Sequence, residues 1–201
     1  MLRVGLTGGL ASGKTFVGHA LEELGCHVIR ADELGHQALL PGAEAYQLVI
    51  QEFGNGVLAD DGTIDRRQLA KLVFESPEQL AKLNAIVHPA VFRREERMME
   101  EFSVADPRGI AVVEAAILVE TGSYKRFDRL IVVVCTIEQQ LERAMRRDSY
   151  TREETLARLK RQLPLEEKVR VADYVIDTSG PKEETLAQTR AVYESLRSLS
   201  L

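Results

Sequence analysis

The chain has 201 residues, 45% of them hydrophobic and 28% charged, with a formal net charge of -5 at pH 7. That length gives one domain, or one core with an inserted subdomain, and enough interior to fold without a disulfide or metal staple. The composition excludes a disordered chain. The acidic balance argues against binding nucleic acid over the whole surface, though not against a local basic pocket.

Leu2 to Leu6 reads as a short apolar strand ending in Thr7-Gly8-Gly9. No charged leader precedes it, so the expectation is a cytoplasmic protein rather than a secreted one. An amphipathic helix follows, with Phe16, Val17, Ala20, Leu21 and Leu24 on one face and Gly25 as its C-terminal cap. Cys26 to Ile29 is a second strand, so the chain opens strand, loop, helix, strand, the pattern of a parallel α/β sheet. From Asp32 to about Phe102 the pattern is helical and interrupted: by Pro41-Gly42, by a turn-rich stretch from Gly54 to Gly62, and by His88-Pro89, where the residue before proline avoids the helical region. Asp65 and Ser76-Pro77-Glu78-Gln79 read as helix starts. Ile110–Ala115 and Leu130–Cys135 are runs of the kind that fill a buried parallel sheet. The second of these is far too short to span a bilayer, and no membrane partner is expected. Thr136-Ile137-Glu138-Gln139 and Thr151-Arg152-Glu153-Glu154 are capping boxes, Pro164 breaks the helix opened by the second, Tyr174–Ile176 is a last strand, and Glu183–Leu199 a closing helix. The two cysteines, Cys26 and Cys135, are in no C-x-x-C pair and read as small buried residues at strand ends.

Gly8-Gly9-Leu10-Ala11-Ser12-Gly13-Lys14-Thr15 matches G-x-x-x-x-G-K-S/T at every specified position, with a strand before it and a helix after. Gly8 and Gly13 are expected to permit backbone angles that turn successive N–H groups into one concavity, to which the helix N-terminus adds its positive dipole end. Lys14 can reach the β- and γ-phosphates of a nucleoside triphosphate, and the Thr15 hydroxyl can ligate Mg²⁺. The dinucleotide pattern G-x-G-x-x-G is absent from this turn. A guanine-reading N-K-x-D is also absent, and Asp177-Thr178-Ser179-Gly180 comes too late to be a switch loop. A small phosphotransferase fits the length.

Asp32, just past the second strand, is placed either to orient or deprotonate an attacking hydroxyl or to cap a helix. Arg143, Arg146, Arg147, Arg152, Arg158, Lys160 and Arg161 are either a solvated, ion-paired helical face or a lid closing over phosphates, with Arg143 and Arg147 sharing a face. His88 is either a core histidine or part of the site. Arg66 and Arg67 either hold an anion or are solvated. Glu114 sits in the third strand, near where an acidic residue beside Mg²⁺ is often found, and Glu120 follows the next apolar patch.

Several motifs in order resemble the dephospho-CoA kinase family: Gly5-Leu6-Thr7-Gly8-Gly9 into the phosphate loop, Ala31-Asp32, Asp61-Gly62-Thr63-Ile64-Asp65-Arg66-Arg67, Asn84-Ala85-Ile86-Val87-His88-Pro89, Leu118-Val119-Glu120, Arg147-Asp148, Gln162-Leu163-Pro164, Ala172-Asp173-Tyr174-Val175-Ile176-Asp177 and Ser179-Gly180. The resemblance covers nearly the whole chain. It implies ATP-dependent phosphorylation of the ribose 3′-hydroxyl of dephospho-CoA, with Mg²⁺. The implied fold is a three-layer α/β P-loop fold with a five-stranded parallel sheet. Its core would comprise residues 1–31, 106–138 and 172–201, its helical acceptor-binding region 32–105 and its helical lid 139–171. By position, Asp32, Lys14 and Arg147 would be catalytic. Gly8, Gly9, Ala11, Ser12, Gly13, Lys14, Thr15, Phe16, Arg143, Ser179 and Gly180 would bind ATP, with Thr15 on the metal. Asp32, Arg66, Arg67, His88 and Glu120 would line the acceptor side. Nucleic acid and an obligate protein partner are not expected. The chain departs from the family pattern at Arg30, usually acidic, at Ala11, usually glycine, at Thr15-Phe16, commonly Ser-Thr, at Ala116-Ile117-Leu118-Val119, usually Pro-Leu-Leu-Phe, and at Thr178, commonly asparagine.

Overall fold

The computed structural model describes residues 1–74, 76–148 and 150–200. Its strands are β1 (Leu2–Gly8), β2 (His27–Arg30), β3 (Ile110–Glu114), β4 (Arg129–Val134) and β5 (Tyr174–Asp177). Its helices are α1 (Lys14–Glu23), α2 (Ala31–Gln37), α3 (Tyr46–Phe53), α4 (Arg66–Phe74), α5 (Pro77–Ala105), α6 (Ile137–Asp148), α7 (Arg152–Leu159), α8 (Leu165–Val169) and α9 (Lys182–Leu199). They divide into two compact units, Met1–Arg30 with Glu100–Leu201, and Ala31–Met99.

In the first unit the five strands form one parallel sheet in the order β2-β3-β1-β4-β5. All of β3 and the middle of β4 are buried, which explains why these strands read as unbroken apolar runs rather than alternating ones. Val4, Leu6, Val112, Ile131, Val133 and Ile176 share a cluster with Val17 and Leu21 of α1 and Val192 and Leu196 of α9. The period of two along β1 and β4 assigns these residues to one face, so α1 and α9 cover that face. On the other face, a Cβ at Gly5 would meet the Leu118, Leu130 and Phe127 side chains at 3.0 Å, so the segment after β3 packs closely over β1. The expected parallel α/β sheet is therefore present.

Local capping fixes the helix ends. α1 closes in a Schellman motif: Gly25, at φ 100°, donates to Glu22 O at 3.0 Å and Cys26 N donates to Leu21 O at 3.0 Å. Thr136 and Gln139 cap α6 reciprocally, and Thr151 and Glu154 form the capping box of α7. α7 ends at Leu159, and Pro164 opens α8, which the sequence reading left out. Both cysteines are buried and free, one beside β2 and one just after β4.

In the second unit, Val49, Val57, Ile64, Leu69 and Val73 make a separate small core. The turn-rich stretch contains a 3₁₀ turn at Asn55–Val57 and an antiparallel bridge between Leu58 and Ile64. The Asp61 carboxylate ties that turn by accepting from Thr63 N at 2.9 Å and Thr63 Oγ1 at 2.6 Å. Asp65 caps α4 through Arg67 N and Gln68 N. Pro89 does not break the chain here: α5 runs through it from Pro77 to Ala105. Proline removes one N–H, and with it the bond to the carbonyl four residues earlier. The buried Ala90, Val91, Glu95 and Met99 lie beyond it on the same helix, and keeping them packed outweighs that one lost bond.

Candidate active site

β1 delivers the chain at Gly8 to a loop that turns into α1 at Lys14. Gly13, the N-cap, has φ 91°, a conformation open to glycine without strain. Gly8 has no positive φ, contrary to the sequence reading, and is required for space instead. A Cβ there would sit 2.4 Å from Val133 O and 2.6 Å from Ser12 Oγ. At Gly9 an added Cβ would meet the end of the Gln140 side chain, Nε2 at 2.1 Å, which would have to turn away.

Ala11, where the resemblance has glycine, is left-handed at φ 51°. This conformation costs an L-residue about 1–2 kcal/mol, against roughly 0.5–1 kcal/mol of extra chain entropy lost by glycine. Ala11→Gly is therefore expected to hold or slightly raise stability in a urea titration, where Ala→Gly at an ordinary position lowers it. A loss of more than about 1 kcal/mol would contradict that account.

The loop is held from several sides. Lys14 Nζ donates to Gly9 O at 3.1 Å, Ser12 N to Gly9 O at 3.2 Å and Leu10 N to Gln162 Oε1 at 2.8 Å. Thr178, just past β5, donates its hydroxyl to Ser12 O at 2.7 Å. Arg143 of α6 donates to the Thr178 hydroxyl at 3.0 Å and carbonyl at 2.7 Å. Gln139 Nε2 donates to Ser179 O at 2.8 Å, and Ser179 N donates to Asp177 Oδ1 at 2.8 Å. The phosphate loop, Arg143 and the Thr178–Ser179 turn thus share one hydrogen-bonded network, while Gly180 precedes α9. The Lys182 ammonium lies 5.8 Å from the centroid of the Phe16 ring. Arg147, exposed near the end of α6, donates from Nε and Nη2 to Asp148 at 2.8 Å each, which holds the Asp148 carboxyl below its ordinary range.

Thr15 Oγ1 donates to Glu114 Oε1 at 2.7 Å. Glu114 Oε2 is buried without a hydrogen-bond partner, and Arg30 Nε stands 3.9 Å away. Arg30 also donates to Glu22 Oε2 at 2.7 Å, so the residue that replaces a usual acid ties β2 to α1 and β3. A threonine hydroxyl beside a carboxylate is a hard-oxygen donor set of the kind Mg²⁺ takes together with phosphate oxygens.

The second unit carries the other candidates. Asp32 lies in the first turn of α2 and is exposed; α2 begins at Ala31 directly from β2, so Asp32 is not its N-cap. His36, one turn further on, meets the Arg66 guanidinium at the start of α4. Burial and the Arg66 charge push the His36 pKa down, while Asp32 and Glu33 oppose this. His36 thus contacts Arg66 and feels the charge of Asp32, with Arg67 next in α4. His36 was not singled out in the sequence, although its i,i+4 spacing from Asp32 placed both on one helix face. His88 is half-buried in α5, its ring 6.0 Å from that of Phe92, and burial lowers its pKa.

Because the folded His88 pKa lies below the unfolded value of 6.5, the unfolded chain binds the proton more readily. The stability present above pH 6.5 is lost as pH falls through 6.5 toward the folded pKa. His88→Gln cannot titrate. Urea midpoints followed above and below that pH should fall less steeply for it than for the parent, and identical slopes would count against the argument.

The dephospho-CoA kinase family model matches residues 2–184. The chain belongs to the dephospho-CoA kinase family. It is 43% identical over 196 residues to a dephospho-CoA kinase of Aquifex aeolicus, covering 98% of each chain, and 42% identical over 191 residues to one of Carboxydothermus hydrogenoformans, covering 95% of this chain and 92% of the other. Among solved structures, the Thermus thermophilus protein TT1252 aligns with TM-score 0.82 at 32% identity over 96% of each chain. The dephospho-CoA kinase of Campylobacter jejuni aligns with TM-score 0.71 at 25% identity, covering 99% of this chain and 98% of the other. A shikimate kinase of Acinetobacter baumannii, at 16% identity and TM-score 0.55, shares the fold. Glu120, which the resemblance puts on the acceptor side, has its Oε1 2.6 Å from Lys168 Nζ and accepts there from Leu163 N at 3.2 Å. Lys168 was not singled out from the sequence.

Proposed function

We propose that this protein transfers the γ-phosphate of ATP to the ribose 3′-hydroxyl of dephospho-CoA, giving CoA and ADP, the last step of coenzyme A synthesis. The observation that carries the reading is a phosphate loop, anchored by Lys14, Thr15 and Thr178, in a chain that matches dephospho-CoA kinases along almost its whole length.

Backbone N–H groups of Gly8, Gly9, Ala11, Ser12 and Gly13, with those opening α1 at Lys14, Thr15 and Phe16, cradle the phosphates. Lys14 leaves Gly9 O for the β- and γ-phosphates. Thr15 and Glu114 are the residues that would hold Mg²⁺, which when bound shields the triphosphate charge. Ser179 and Gly180 lie beside the adenine, on the turn that Arg143 and Gln139 fasten. Arg147 releases Asp148 to reach the transferring phosphoryl group. Asp32 accepts or positions the proton of the attacking hydroxyl. Arg66, Arg67 and His88 bind the anionic acceptor, with His36 orienting Arg66.

The loose transition state of phosphoryl transfer asks mainly for positioning and charge stabilisation, which is what these groups supply. In this reading residues 1–31, 106–138 and 172–201 are the nucleotide core, 32–105 the acceptor region and 139–171 the lid. The protein works in the cytoplasm on small molecules, without nucleic acid, membrane or an obligate protein partner.

The test is ADP release from Mg·ATP with and without dephospho-CoA, beside a panel of other hydroxyl acceptors. Release that depends on dephospho-CoA is expected. Release at the same rate without it, or faster with another acceptor, overturns the reading.

A further inference from the structure

Lys168 of α8 heads the largest fully buried side chains among the described residues, at 0% exposure. An ammonium removed from water needs acceptors for its three N–H bonds. It finds Glu120 Oε1 at 2.6 Å, Ala116 O at 2.9 Å and Gly8 O at 3.3 Å. A leucine or methionine would fill comparable space without the desolvation penalty of a buried ion pair, so packing alone does not explain the choice.

The partners explain it. Gly8 O is the carbonyl through which the chain enters the phosphate loop, and it belongs to the same planar peptide as Gly9 N–H. A donor that fixes the oxygen fixes the direction of that N–H, and a charged donor also polarises the peptide and strengthens it as a donor. Ala116 O is already bound by Thr7 Oγ1 at 3.2 Å, so Lys168 reaches both β1 and the segment after β3. Glu120 Oε1 in turn accepts from Leu163 N at 3.2 Å, and Gln162 Oε1 accepts from Leu10 N at 2.8 Å. Residues 162–168 are therefore tied to the loop both at its first carbonyl and at Leu10, with the Lys168–Glu120 pair at the centre.

We propose that Lys168, held by Glu120, is a positioning residue for ATP: it sets the Gly8–Gly9 peptide so that the loop presents its N–H groups to the phosphates, and it fastens the 162–168 segment to the loop. This rests on the reading of the loop as the ATP site.

Lys168→Met alone leaves the half-buried Glu120 carboxylate charged and without its ammonium partner, which can prevent folding. The decisive variant is therefore Lys168→Met with Glu120→Leu, which removes both charges. Glu120→Gln serves as a milder second variant, keeping an acceptor for Lys168 and Leu163 while losing the charge. Calorimetric titration with a non-hydrolysable ATP analogue and Mg²⁺ reads the effect directly.

The parent is expected to bind; if it does not, the ATP-site reading fails and not the role of Lys168. Against a binding parent, the double variant should lose about tenfold or more in analogue affinity, and Glu120→Gln about threefold, with circular dichroism and melting cooperativity preserved. A purely structural pair would lower the melting temperature and leave affinity per folded molecule unchanged. Analogue affinities within about twofold of the parent in every variant that folds overturn the proposal. If the double variant fails to fold, the result with Glu120→Gln decides.

Discussion

Asp32→Asn is expected to lower kcat for transfer to dephospho-CoA by about 10²–10⁴-fold while leaving the affinity for Mg·ATP within about twofold. Asparagine keeps the size of the side chain and one acceptor oxygen. It loses the negative charge and the ability to take a proton. Asp32 is exposed in the first turn of α2, where a carboxylate also gains from the helix dipole, so its removal costs roughly 0.3–1 kcal/mol of stability at most. That loss is too small to account for a large fall in turnover, which separates the chemical role from a structural one. Turnover within tenfold of the parent would remove Asp32 from the mechanism. A matching fall in ATP affinity would move it to the nucleotide side. The neighbouring pair sharpens the reading: His36 engages Arg66 and so leaves Asp32 outside that contact.

What the sequence made legible is what is encoded locally. The Thr136–Gln139 and Thr151–Glu154 boxes are each settled within four residues, and both formed as read. The β-branched runs of β3 and β4 follow from burial on both faces of a parallel sheet, and Gly25 from a single backbone angle. The phosphate loop was legible because anion binding by backbone N–H groups demands glycine and lysine at fixed places.

The misreadings share one cause: a local rule met a tertiary one. His88-Pro89 carries a real local preference against helix, yet the helix continues because residues on both sides are committed, Leu83 and Ile86 to the small core and Ala90, Val91 and Met99 to burial. A glycine in such a loop suggests backbone freedom, yet at Gly8 the deciding fact is the distance to Val133 O on β4, far along the chain. Lys168 looked like one more lysine after two glutamates in a charged segment. Its burial depends on Gly8, Ala116 and Glu120, which are 160, 52 and 48 positions away, and no periodicity within α8 reports that. Residues brought to a site by the long-range crossovers of a parallel sheet are the ones that a reading along the chain misses.

Lys14→Ala should abolish productive ATP binding: we expect affinity for Mg·ATP to fall by about 10²-fold and turnover by at least as much. The Lys14 ammonium is parked on Gly9 O at 3.1 Å, within the loop it serves. Exchanging that carbonyl for phosphate oxygens trades a neutral acceptor for charged ones, and charge-assisted hydrogen bonds are about twice as strong. The other supports of the loop do not involve Lys14. Gln162 holds Leu10 N, Thr178 holds Ser12 O, and Gly13 keeps its own backbone angle, so the loop is expected to retain its shape and the protein its melting temperature within a few degrees. Lys14→Arg provides the control: it keeps the charge but replaces a compact ammonium with a wide planar fork in a glycine-lined turn, and should recover little activity. Calorimetric binding of Mg·ATP to Lys14→Ala at parental affinity would refute the assignment of this loop as the triphosphate site, and with it the direction of transfer from ATP.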